Sequence, residues 1–108
     1  MGIVYLLCEL SDSSEKYKIG VTKRSVYDRI KELSTANANP IHLVNKFESE
    51  HYIKVESWLH RRYHSYKTVE GGTEWFDLPA EDVIAFASIC EEVEGTIKYM
   101  IEHNHFFK

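Results

Sequence analysis

At 108 residues the chain is long enough for one compact domain, residues 1–108, and too short for two ordinary ones. Hydrophobic residues make up 44% and charged residues 28%, a balance that excludes a disordered or fibrous chain. No run approaches the ~18 apolar residues of a bilayer span, and no basic stretch precedes an apolar one at the N-terminus, so a cytoplasmic protein is expected.

In chain order, Ile3, Tyr5 and Leu7 alternate with Val4, Leu6 and Cys8, leaving both faces apolar, as in a strand buried on both sides. The turn formers Ser11 to Ser14 follow, and Tyr17 to Val21 reads as a second strand completing a hairpin. Ser25 suits an N-cap, and Val26, Ile30 and Leu33 form the stripe of an amphipathic helix ending near Asn37, before Pro40. Ile41 to Phe47 is expected to be a third strand. Tyr52, Val55, Leu59 and Tyr63 mark a second helix from about Glu50 to Tyr66. Glu74-Trp75-Phe76 adds a short edge strand after Gly71-Gly72, and Asp77 and Pro79 open one long C-terminal helix with Glu81 and Asp82 in its first turn. The expected fold is α/β (α+β), a small central mixed sheet of about three strands flanked by helices. Its order is a ββαβα core, the short strand and a C-terminal helix. Cys8 and Cys90 are expected to be buried thiols.

The net charge of −4 counts against holding nucleic acid by overall charge. The distribution is uneven, however: residues 1–67 hold eleven Lys/Arg against eight Asp/Glu (+3), and residues 68–108 hold two against nine (−7). Lys16, Lys18, Lys23, Arg24, Arg29 and Lys31 lie close together, so a phosphate is expected to bind in this N-terminal part.

Gly2-Ile3-Val4-Tyr5 on the first strand and Lys18-Ile19-Gly20 on the second resemble the paired motifs of the GIY-YIG nuclease superfamily. The match extends to Arg29, to Glu56 and His60 in a Glu-x-x-x-His pattern, and to Glu74-Trp75-Phe76. The Lys-Ile-Gly form is similar to the branch common in phages and mobile elements. Two departures stand out: Lys18 occupies the place usually held by a tyrosine, with Tyr17 on the opposite strand face, and Val4 is inserted before Tyr5.

The resemblance implies an endonuclease that hydrolyses phosphodiesters, with DNA the expected substrate and Mg²⁺ or Mn²⁺ as cofactor. Tyr5 would be the general base. A free phenol is protonated at neutral pH, and Lys18 on the paired strand would stabilise its phenolate. Arg29 would neutralise charge on the phosphoryl group. Glu56 would hold the ion, since a lone carboxylate suits Mg²⁺ better than zinc. His60 has a secondary role, as proton carrier, phosphate contact or orienter of Glu56.

Each residue also has a plainer reading. Tyr5 could be a strand aromatic, Arg29 a surface ion pair with Glu32 or Asp28, and Glu56 with His60 an i, i+4 pair. His60 and His64 could chelate zinc in an interaction domain, Trp75 and Phe76 could close the core, and Glu74 could join the site. The competing function is a catalytically weak or inactive GIY-YIG-like nucleic-acid or protein binding module. Low intrinsic specificity is expected, or recruitment by a protein partner or a homodimer mate.

Overall fold

A computed structural model describes residues 1–11, 15–35, 39–70 and 73–103. Its first hairpin joins β1 (Gly2–Leu10) to β2 (Glu15–Thr22), with Tyr5 opposite Gly20 and Leu7 opposite Lys18. The residues between Ser11 and Glu15, which carry most of the expected turn, lie outside the described part. The helix α1 (Val26–Ser34) starts where the Ser25 hydroxyl accepts the backbone N–H of Tyr27 at 3.2 Å. It ends at Ser34, earlier than expected, and Asn37 lies outside the described residues.

The chain then crosses β1 and returns as β3 (Ile41–Ser49), antiparallel to β1 on the edge away from β2. This crossover lays α1 over one face of β1. Tyr5 and Leu7 pack there with Val26, Ile41 and Trp75. The alternate residues Val4, Leu6 and Cys8 face the other way, into a larger core shared with α2 (Tyr52–Arg62) and the C-terminal helix. The expectation that β1 is covered on both faces is met, because strict alternation sends each apolar set to a different layer.

Beyond α2, a single 3₁₀ turn at His64–Tyr66 reverses the chain into β4 (Lys67–Glu70) and β5 (Thr73–Phe76). The sheet order is β3-β1-β2-β5-β4, and every described pairing is antiparallel. Two expectations are corrected here: among the described residues the sheet has five strands rather than about three, and it is antiparallel rather than mixed. β4 was not anticipated because Lys-Thr-Val-Glu shows no apolar alternation. The signal for it was Gly71-Gly72 between two short runs, the pattern of a tight hairpin.

The expected single C-terminal helix is two, α3 (Ala80–Ile84) and α4 (Phe86–His103), separated at Ala85. The Ala85 N–H bonds back to both Glu81 and Val83, a tightening that ends the first helix. α4 then buries Phe86, Ile89, Cys90, Val93 and Ile97 against α2 and the sheet. Cys8 and Cys90 are free and buried, and burial followed by the charge of Glu94 pushes the Cys90 thiol up to about 12. No helix among the described residues is long and apolar enough to cross a membrane.

Candidate functional site

The site begins with two motif glycines. A Cβ added at Gly2 would lie 2.5 Å from the ring of Tyr52, the first residue of α2, and one added at Gly20 would lie 2.5 Å from Cζ of Tyr5. Both distances are closer than packed atoms come, so each glycine is required by an aromatic ring resting on its backbone. Gly2 seats the start of α2 against β1. Gly20 lets the Tyr5 ring lie flat across the neighbouring strand and brings its hydroxyl over β2.

That hydroxyl accepts a hydrogen bond from Nε of Arg29 at 3.4 Å. Arg29 also donates through Nη1 to Glu32 Oε2 at 2.8 Å, and Arg24 donates to the other oxygen of Glu32 at 2.9 Å. The Arg29 guanidinium is held above its ordinary range by the Tyr5 bond and then by Glu32. Glu32 is held below the usual carboxylate range, by Arg29 first and Arg24 second. The plain expectation of an Arg29–Glu32 pair is therefore correct, and it coexists with the Tyr5 contact. Glu32 as the shared partner of two arginines was not anticipated. The i, i+3 spacing to Arg29 was a visible hint, but Arg24 is eight residues away and outside α1.

Lys18 lies on the same sheet face, two residues along β2 from Gly20, with its ammonium 5.8 Å from the centroid of the Trp75 ring. Arg29 is a cation bonded to Tyr5. Trp75 and Phe76 are buried, one in each core layer, as the core-closing reading expected. The Glu74 side chain lies outside the described part.

Glu56 and His60 come from the opposite layer. α2 buries Val55 and Leu59 in the larger core and leaves Glu56 and His60 half-buried on its flank. His60 Nε2 meets the carbonyl oxygen of Ile19 at 2.8 Å. A carbonyl only accepts, so Nε2 carries the hydrogen of that bond. Among the described residues, β2 pairs with β5 at Tyr17 and Phe76. The His60 ring also stands edge-on to Phe76, with centroids 5.2 Å apart.

The five candidates thus form two groups on opposite sides of the sheet. Tyr5, Arg29 and Lys18 stand on the α1 side, and Glu56 with His60 on the α2 side. They approach one another at β2, where Tyr5 rests on Gly20 and His60 bonds the residue before it. As for a metal, a single half-buried carboxylate on a helix flank fits a hard ion that keeps its waters. Among the described residues, no three His, Cys, Asp or Glu side chains gather closely enough to cage an ion, the arrangement a structural zinc would need.

An antiparallel sheet layered between α1 and the pair α2 and α4 makes this an α+β domain. The T5orf172 domain model matches residues 2–91, and the chain belongs to this phage-associated family. The matched span contains all five candidate residues and both hairpin motifs. Neither the curated proteins nor the solved structures provided a match.

Proposed function

We propose that this domain is a GIY-YIG-type, metal-dependent endonuclease acting on nucleic-acid phosphodiesters, with DNA the first substrate to test. The observation that carries the reading is that Tyr5, bonded to Arg29, and His60 meet β2 at the adjacent residues Gly20 and Ile19. It gives one short stretch of backbone a phenol and a guanidinium on one side and an imidazole on the other, with Glu56 one helical turn before that imidazole on α2.

In this reading Arg29 presents its fork of donors to the phosphoryl oxygens, and Lys18 adds a second positive charge on the same face. Tyr5 takes the proton of the attacking water, with the Arg29 guanidinium beside its oxygen to balance the charge. The bond from phosphorus to the 3′ oxygen then breaks as the new bond to water forms. Glu56 would hold Mg²⁺ or Mn²⁺, which when bound supplies charge stabilisation at the phosphoryl and leaving oxygens. His60, anchored through Nε2 to Ile19, acts as a positioning residue that fixes the flank of α2 carrying Glu56 against β2.

The test is cleavage of supercoiled plasmid and of RNA by purified protein with Mg²⁺ or Mn²⁺, compared with Glu56→Ala. The expected result is cutting by wild type that falls at least about a hundredfold in the variant. Equal cutting by both would remove Glu56 from the chemistry.

A second reading, a binding module with negligible turnover, draws on two observations. Tyr5 is only 1% exposed, and Arg29 is already paired with Glu32. Wild type that binds nucleic acid and cuts neither DNA nor RNA with any divalent ion would establish it.

A further inference from the structure

Three side chains on and just before α1 close into one ionic unit. Glu32 accepts from Arg29 Nη1 through Oε2 at 2.8 Å and from Arg24 Nη2 through Oε1 at 2.9 Å, so two guanidinium groups grip one carboxylate, one at each oxygen. Arg29 is also bonded through Nε to the Tyr5 hydroxyl at 3.4 Å, which joins the unit to the candidate site. Arg24 belongs to the turn that leaves β2, and local bonds set that turn. Thr22 Oγ1 accepts the Arg24 backbone N–H at 3.0 Å, and Ser25 caps the helix that follows. The fold therefore delivers two arginines from different elements onto one anion. The unit is open to water: the side chains of Arg24 and Glu32 are 66% and 44% exposed, and both line a cleft of about 480 Å³ with Asp28, Lys31 and Thr35.

We propose that Arg24 and Arg29 form a two-arginine clamp for one phosphate of the nucleic-acid backbone, and that Glu32 occupies the clamp in the free protein. The clamp rests on the nuclease reading for the assignment of Arg29 to a phosphate; it adds Arg24 as a second contact and Glu32 as the anion to be displaced. A carboxylate and a phosphodiester offer arginine the same kind of partner, two oxygens sharing a negative charge, and the guanidinium fork suits either. The seat of the Glu32 carboxylate is thus the place where a backbone phosphate meets both arginines. Exposure permits the exchange, because an ion pair open to water is weak and the released carboxylate is solvated at once. The phosphate arrives with its neighbours on one polymer and releases counterions, a gain that a single carboxylate does not match. Arg29 keeps Tyr5 throughout, since that bond uses Nε and the Glu32 bond uses Nη1.

The experiment measures binding of a fluorescent DNA duplex by anisotropy in EDTA, across a range of NaCl concentrations. The proteins are wild type, Glu32→Gln, Arg24→Gln/Glu32→Gln and the control Lys23→Gln/Glu32→Gln. The Glu32→Gln background separates two roles of Arg24, gripping phosphate and neutralising Glu32, because the second vanishes with the carboxylate. Lys23 is the adjacent exposed cation, so its loss changes the net charge equally at the same end of α1. Each duplex phosphate neutralised contributes about 0.9 to the slope of log K against log salt. Relative to Glu32→Gln, the Arg24→Gln/Glu32→Gln protein should lose about 0.9 from the slope and bind about tenfold more weakly at low salt. The Lys23 control should keep its slope and stay within about twofold of Glu32→Gln.

An Arg24→Gln/Glu32→Gln protein with the slope and affinity of Glu32→Gln overturns the clamp, as does an equal loss in the Lys23 control. So does a Glu32→Gln protein that binds more weakly than wild type, or wild type that binds no duplex at all. The measurement requires no turnover, so the clamp and the nuclease fail separately. A protein that cuts but keeps its slope without Arg24 loses the clamp and keeps the nuclease. A protein that cuts nothing but loses slope without Arg24 keeps the clamp as a binding device and loses the nuclease.

Discussion

Arg29 on α1 donates to the hydroxyl of Tyr5 on β1 at 3.4 Å, across a glycine of the strand between them. The same guanidinium is held by Glu32 at 2.8 Å, so it is oriented from two sides before any substrate arrives. This pairing of a buried phenol with a half-exposed arginine is the centre of the proposed chemistry, and it can be tested in parts.

Tyr5→Phe removes the oxygen and keeps the ring that fills the space above Gly20. Its stability cost should be about 1 kcal/mol, the value of one modest hydrogen bond. Cleavage should drop by about 10² to 10⁴, the range for loss of a general base. Plasmid nicking rates and a urea melt measure the two separately. A variant that nicks at wild-type rate would reduce Tyr5 to a support for Arg29.

Gly20→Ala drives a methyl group into the Tyr5 ring and should destabilise the fold by about 1–3 kcal/mol, as overpacking does. In a Tyr5→Leu background the ring is gone and the same substitution should cost much less. Thermal melts of the two single variants and the double variant form the cycle. Strict additivity would mean that the close approach of ring and backbone has no energetic consequence.

Glu32→Gln releases Arg24 and Arg29 from a shared carboxylate. Binding to a DNA duplex should tighten by about two- to fivefold at low salt, the scale of an exposed ion pair. Because Glu32 is depressed below its ordinary value, wild type should approach the variant only as pH falls below that value and the carboxylate is protonated. Anisotropy titrations at neutral and acid pH would detect this. Weaker binding by Glu32→Gln would mean that Glu32 orients the arginines for substrate and does not compete for them.

Removal of divalent ions should abolish cleavage and leave the fold standing, because the one ion proposed would be held by a single helix-flank carboxylate. EDTA treatment followed by circular dichroism and a melt should show an unchanged transition, with activity restored by Mg²⁺ or Mn²⁺. Cleavage that persists in EDTA would eliminate the metal from the mechanism. A fall in the melting temperature on chelation would point to a structural ion.

The thiols offer a pH test of packing. Unfolded Cys90 would release its proton near 9.0, whereas in the fold it holds it up to about 12. A raised acid group favours the folded state below the lower value and loses that contribution as pH climbs toward the upper one. Stability should therefore decline above pH 9. Ellman's reagent should find neither cysteine at pH 8 in native protein, and both in urea. Rapid reaction of a native thiol would mean that the core opens more readily than its burial indicates.

The sequence alone determined what local order controls. Ser25 before an apolar stripe set the start of α1, the two apolar runs set the strands of the first hairpin, and the spacing of Val55 and Leu59 set the buried face of α2. These features depend on neighbours within a turn or two, and residue type reports them directly. The break at Ala85 was not visible that way, since alanine there would continue a helix as readily as end one. Nor was β4, whose four residues gain their order by pairing with β5.

The site belongs to the tertiary structure. Tyr5 and Arg29 are 24 residues apart, and Ile19 and His60 are 41 apart. What brings them together is the crossover that lays α1 on one face of β1, the packing of α2 on the other, and a strand between that is thin at Gly20. The motifs marked which residues to watch. The bond from Arg29 to Tyr5 follows from side-chain reach across the assembled layers, which sequence spacing does not encode.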